Sequence, residues 1–210
     1  MELLYLHPNY FKLKTEKVRE ALGLEMEEEF YILRFISWDS FHDTNQRGFT
    51  KSQKLALIEF LSKQGRVFIS SECQLSKSLE QYKLNIPPEL LHDVLAEATL
   101  CISEGATTAS EASVLGTATI YVNSLDVSYC KEQDEVYNIN HCFKNGDGVI
   151  EKVSEILNQE NLKETYKKRQ KNLIKDKINP SSFLVWFIEN YPESLETMKK
   201  HPEYQDRFKA

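Results

Sequence analysis

The segment Leu100–Val122, LCISEGATTASEASVLGTATIYV, constrains the fold more than any other stretch of the chain. An apolar run closes at Ser103-Glu104-Gly105, and a small-residue turn follows. A helix opens at Thr107 or Thr108 and ends near Gly116, and a second apolar run covers Ala118 to Val122. Strand, turn, helix and strand in so short a span form a compact βαβ unit, whose strands lie parallel in one sheet. The turn brings backbone N–H groups and the positive end of a helix dipole to one point, where a phosphate is stabilised. Phosphate or nucleotide binding is therefore the first functional expectation. The competing one is a turn that is purely structural, since every βαβ unit has one.

The rest of the chain repeats the alternation. Phe30–Ile36 reads as a central strand, and Thr50 as the N-cap of a helix over Lys51–Lys63 with Leu55, Ile58 and Leu61 at helical spacing. Gly65 stops that helix, and Arg66–Ser70 forms the next strand. Pro87-Pro88 open a helix over Glu89–Ala98, Glu135–Ile139 reads as a weaker strand, and a helix lies near Gly148–Leu157. An amphipathic stretch at Thr15–Leu22 precedes the first strand. The fold class expected is α/β: a three-layer, Rossmann-like parallel sheet with helices on both faces, plus C-terminal helices. Residues 1–160 form the nucleotide-binding domain. Residues 161–210 form a helical extension packed on it, with Phe183–Ile188 docking on the core.

Charge and composition narrow the functions. A net charge of −6 argues against broad electrostatic binding of nucleic acid, and Lys167-Lys168-Arg169 with Lys171 reads as a solvated helix face. The longest apolar run, Phe183–Ile188, is too short to span a membrane, and the N-terminus lacks the layout of a secretory signal, so a cytoplasmic location is expected. Cys73, Cys101, Cys130 and Cys142 have no CxxC spacing, which gives little support to a zinc site or a disulfide framework; no metal site is expected.

Functional loops of a parallel sheet gather at the carboxyl ends of its strands. Three such ends are polar here: Ser37-Trp38-Asp39, Ser70-Ser71-Glu72 and Ser103-Glu104-Gly105. Arg34, charged within an apolar strand, needs a partner such as Glu72 or Asp39, or else meets a diphosphate. His42 is placed to act as general acid or base with Asp43 nearby, against the plainer reading of a polar surface loop. Trp38 stacks on a base or sugar, or plugs the loop from beneath. Ser71 and Glu72 reach a nucleotide or form turn hydrogen bonds. Glu104 lies beside the phosphate turn, where it repels a diphosphate unless protonated or paired; it serves better to orient a loop N–H or Arg34. His92 reads as a satisfied, half-buried histidine.

Several of these motifs, in this order, resemble a bacterial and archaeal family, domain of unknown function number 354. They are Arg34-Phe35-Ile36-Ser37-Trp38-Asp39 with His42-Asp43 and Gly48, Val67 to Glu72, His92-Asp93, Glu104-Gly105-Ala106-Thr107 with Glu111-Ala112 and Leu115-Gly116, and Ile188 to Pro192. The resemblance implies a glycosyltransferase-like arrangement of two Rossmann-type domains (GT-B), similar to non-hydrolysing UDP-N-acetylglucosamine 2-epimerases. It implies that this chain corresponds to the C-terminal, nucleotide-binding half. The partner expected is then a separate N-terminal-domain protein or a second copy, and the substrate a nucleoside-diphosphate sugar with no further cofactor. Phosphates would meet Gly105, Ala106, Thr107 and Thr108, and the second strand end, Ser71-Glu72, would lie near the nucleotide. Glu111 would accept ribose hydroxyls; the plainer reading makes it a solvent-exposed partner of the helix dipole. The chain departs from the epimerase pattern at the phosphate turn, where Gly105-Ala106 stand in place of a Ser-Gly pair and leave the backbone to do the binding. The expected chemistry is metal-independent glycosyl transfer with helix dipole and Arg34 stabilising the departing diphosphate. The alternatives are a non-catalytic interaction module, or an epimerase-like half using His42.

Overall fold

The computed structural model describes residues 4–37 and 46–209. Five parallel strands form one sheet: β1 (Phe30–Phe35), β2 (Arg66–Ser71), β3 (Leu100–Ser103), β4 (Ala118–Val122) and β5 (Asn140–Phe143), in the order β2-β1-β3-β4-β5. The central strands β3 and β4 are buried along their whole length, as strands covered on both faces must be. Helix α1 (Thr15–Leu22) precedes β1; between strands lie α2 (Lys51–Ser62), α3 (Leu91–Glu97), α4 (Ala106–Val114) and α5 (Ser128–Glu135), and α6 (Val149–Leu157) follows β5. Right-handed crossovers place α2 on one face and α4 and α5 on the other. The chain leaves β1 towards β2 and leaves β3 towards β4, so the order reverses between these neighbouring strands. That reversal opens a crevice at their carboxyl ends.

Local signals explain the helix ends. Thr50 and Gln53 form a reciprocal capping box that starts α2. The end of α4 is closed by a Schellman motif: Thr117 N–H donates to Ala112 O (3.0 Å) and Gly116 N–H to Ser113 O (2.9 Å). Gly116 takes φ +84°, which a side chain rarely tolerates. The remaining carbonyls of that end are met by α7 (Leu162–Asp176). Gln170 Nε2 donates to Val114 O (2.6 Å), and the Lys167 ammonium donates to Leu115 O, placing a cation on the negative end of the dipole.

Two expectations are corrected. The strand expected over Glu135–Ile139 lies at Asn140–Phe143, and the preceding residues form α5. The charges of α5 conceal a helical face that buries only Cys130 and Gln133, and β5 carries Asn140 and His141 where an apolar pair would announce a strand. At the C-terminus, α7 joins the core through Tyr166 and Leu173, but the apolar run of α8 (Pro180–Glu189) does not. No residue of α8 is buried. Phe183 and Trp186 pack instead on Tyr204 and Phe208 beyond α9 (Glu193–Lys200), with Trp186 stacked on Tyr204 at 4.7 Å, and Phe187 packs on Phe183 and Trp186.

Both lateral edges of the sheet are occupied. Along β2, Leu84 N–H donates to Ile69 O (2.8 Å). Along β5, Cys142 N–H donates to Asp134 of α5 (2.9 Å).

Candidate functional site

The crevice at the reversal point holds a cavity of about 480 Å³. Arg34, Ile36 and Glu72 line one side, Glu104 to Thr108 the floor, and Tyr121, Asn123, Leu125, Val127 and Tyr129 the far wall. One wall is thus charged, the other largely apolar and aromatic, with the start of α4 between them.

The floor is built from the end of β3. Ser103 Oγ accepts from Gly105 N–H (3.0 Å) and donates to Gly105 O (2.7 Å), folding the turn. Gly105 is the N-cap of α4 in an extended conformation, φ −93°, so its backbone does not demand glycine. The constraint is space: a Cβ there would lie 3.3 Å from Ile36 Cγ2. The helix opens at Ala106, one residue earlier than the sequence suggests. Its first internal-type bond is Ala109 N–H to Gly105 O (3.1 Å). Among the described residues, the N–H groups of Ala106, Thr107 and Thr108 therefore have no acceptor, and neither Thr107 nor Thr108 has spent its hydroxyl. Gly105 differs from the other three turn residues, because Ser103 already takes its amide.

Glu104 carries a carboxylate with no exposed surface. Oε2 accepts from Lys54 Nζ (2.9 Å) and Ile36 N–H (3.2 Å), and Oε1 accepts from Phe49 N–H (3.0 Å). Lys54 also sits over the Phe35 ring at 4.1 Å. Burial pushes the Glu104 carboxyl above its ordinary pKa, while Lys54 and the two amides pull it back. The side chain ties the start and end of the 36–49 segment to the end of β3. It acts as an orienter of loop N–H groups and does not turn to Arg34. Asn123 extends the network: Nδ2 donates to Glu104 O (3.0 Å) and Oδ1 accepts from Leu125 N–H (2.9 Å).

Arg34 finds the partner it needs in Glu72, at 2.7 Å, and also donates to Ser70 Oγ at 2.8 Å. Glu72 Oε2 accepts from Ser37 N–H (3.1 Å). The two formal charges cancel locally, so the attraction for an anion comes from the start of α4 more than from a surplus cation. Ser71 ends β2 beside Glu72 but is not among the residues lining the cavity. Trp38, Asp39, His42 and Asp43 lie outside the described residues.

Glu111 stands one turn further along α4 and is 8% exposed, in contrast to a solvated dipole partner. Its Oε1 accepts from Tyr5 Oη (3.0 Å), in a 3-10 turn at Leu4–Leu6, and lies 3.3 Å from His92 Nε2 on α3. Burial, then the bond to Glu111, pushes the Tyr5 phenol up to about 12. Among the described residues, no group of three His, Cys, Asp or Glu side chains is placed to hold a metal ion. Among the described residues, no helix is long and apolar enough to cross a membrane.

The sequence pattern brings Arg34, Glu72 and Glu104 to Thr108 together, and misses Lys54, Asn123 and Tyr5. Lys54 sits on α2 with nothing in its spacing to mark it, and Tyr5 meets Glu111 across 106 residues of chain.

No family model and no curated protein matches the chain. Three solved structures are similar to part of the chain. A glycotransferase of kitacinnamycin is 14% identical over 67% of this chain and 38% of its own, with TM-score 0.44. The wall teichoic acid polymerase TagF is 10% identical over 75% of this chain and 41% of its own, with TM-score 0.45. A Listeria monocytogenes structure described as a UDP-N-acetylglucosamine 2-epimerase is 14% identical over 73% of this chain and 40% of its own, with TM-score 0.47. The chain spans about two fifths of the length of these solved chains. At such identity and TM-scores the likenesses carry no residue roles. What the structure itself establishes is a parallel α/β sheet with a cavity of mixed lining at its point of strand reversal.

Proposed function

We propose that this domain binds a nucleoside diphosphate, as the activated end of a nucleotide sugar, at the start of α4. The single observation that carries the reading is the set of three amides, Ala106 to Thr108, that have no partner among the described residues, on the floor of a cavity at the strand-order reversal. The two threonine hydroxyls add donors, and a diphosphate reaching Arg34 competes with Glu72 for it. Glu111, one turn along the same helix, serves the ribose hydroxyls. The motif resemblance described above extends the reading to glycosyl transfer without a metal, once a second domain closes over the cavity and supplies the acceptor. In that reaction the helix start stabilises the charge of the departing diphosphate.

Titrating UDP, GDP, CDP and ADP while recording Tm tests the reading. Ala106→Pro is the decisive variant: proline fits the first position of a helix and deletes one of the three amides. One nucleotide should raise Tm, and Ala106→Pro should weaken it by about tenfold or more, the worth of a hydrogen bond to a charged group. Glu111→Ala should weaken the nucleotide and spare inorganic pyrophosphate. Absence of any shift would sink the reading. It would favour a protein-interaction role instead, for which the exposed Leu184, Val185 and Ile188 of α8 are the specific observation.

A further inference from the structure

The cluster around Glu111 contains more than an acceptor for a sugar. Glu111 follows Thr108 by three residues and Thr107 by four, so it shares their helix face about 5–6 Å further along. Its carboxylate is almost buried, and a buried carboxylate costs free energy unless donors surround it. Two side chains reach it from separate parts of the chain, Tyr5 Oη as a hydrogen-bond donor at 3.0 Å and His92 Nε2 at ion-pair distance, 3.3 Å, and both meet the same oxygen, Oε1. Oε2 has no hydrogen-bond partner among the described residues. A carboxylate serving packing alone is best satisfied with donors on both oxygens. Both side chains are themselves held in place. Leu6, beside Tyr5, is fully buried in the core, and α3 is fastened by Thr117 Oγ1 donating to Leu95 O (2.6 Å) and by Lys14 N–H donating to Asp93 (2.8 Å). The Tyr5 and His92 rings stand 5.5 Å apart, tilted by 55°.

We propose that Tyr5 and His92 are positioning residues that clamp Oε1 of Glu111 and leave Oε2 open to a hydroxyl of the sugar attached to the bound phosphate, an inference that rests on the nucleotide reading above. The phosphate and the sugar hydroxyl then meet one helix face a turn apart: backbone amides take the charge, and a pre-aimed carboxylate reads the hydroxyl.

Calorimetric titration of the full chain with the four nucleoside diphosphates and with inorganic pyrophosphate tests the clamp. Tyr5 is half exposed, so Tyr5→Phe removes a hydroxyl with little risk to folding. Tyr5→Phe and His92→Ala should each weaken the preferred nucleotide about five- to tenfold and leave pyrophosphate unchanged. His92→Gln, which restores a side-chain N–H, should recover most of the loss. In a Glu111→Ala background, Tyr5→Phe should have no further effect. Unchanged or tighter nucleotide binding in both variants would overturn the clamp while leaving the nucleotide reading intact. A parallel loss of nucleotide and pyrophosphate would do the same, since it marks a purely structural role. Wild-type protein that takes pyrophosphate alone also overturns it, and wild type that takes neither removes the nucleotide reading and the clamp together.

Discussion

Glu104 shows how a buried charge is accommodated beside the start of α4. The sequence places a carboxylate next to the turn that opens α4, where the proposed phosphate would make a bare charge unfavourable. The structure resolves the conflict by burying that charge against Lys54 and two amides. Removing the cation while leaving the carboxylate is the costly change. Lys54→Met should destabilise the fold by about 3–5 kcal/mol at neutral pH, measured by chemical denaturation. The sign of its pH dependence follows from the raised Glu104 pKa. The folded state takes up a proton before the unfolded state does, so the deficit should shrink as pH falls towards 4.5, the unfolded value. A deficit that grows on acidification would contradict the assignment. Lys54 itself was not legible, because its partner lies 50 residues away and its helix position carries no distinguishing pattern.

At the scale of elements, α4 has two ends with opposite fates. Among the described residues its N-terminal amides are left unmet, whereas its C-terminal carbonyls are satisfied by a Schellman motif, Gln170 and Lys167. Gly116 is the hinge of the closed end. A Cβ on it would stand 2.8 Å from Gln170 Oε1 and 2.9 Å from Lys167 Cδ, besides forcing a left-handed conformation on alanine. Gly116→Ala should therefore cost about 1–2 kcal/mol in a denaturant melt and leave anion affinity unaltered, since the open end lies at the other pole of the helix. The glycine and the run of small residues were legible as a helix between two strands, because turn chemistry and apolar periodicity are local. The start of β5 was not. Asn140 and His141 are buried there by tertiary packing, with His141 Nε2 bonded to Tyr166 Oη at 2.8 Å, and no local pattern announces such a strand.

Across the whole molecule, the sheet and its crevice follow from strand alternation, which is why the fold class could be read from the chain. The placement of the C-terminal segment could not. Six consecutive apolar residues, Phe183 to Ile188, read as a core helix, yet their partners are Tyr204 and Phe208, supplied by the last residues of the same segment. Because the main core stops at α7, a chain ending after Lys177 should keep the Tm of the sheet within about 2 °C and retain the same nucleotide response. Collapse of the shortened chain would show that α8 and α9 buttress the sheet. The capped flanks of the sheet carry a further consequence. With Leu84 seated along β2 and Asp134 plugging β5, the outermost backbone groups are already spoken for where a foreign segment would zip on. Lateral annealing is thereby opposed at these two positions.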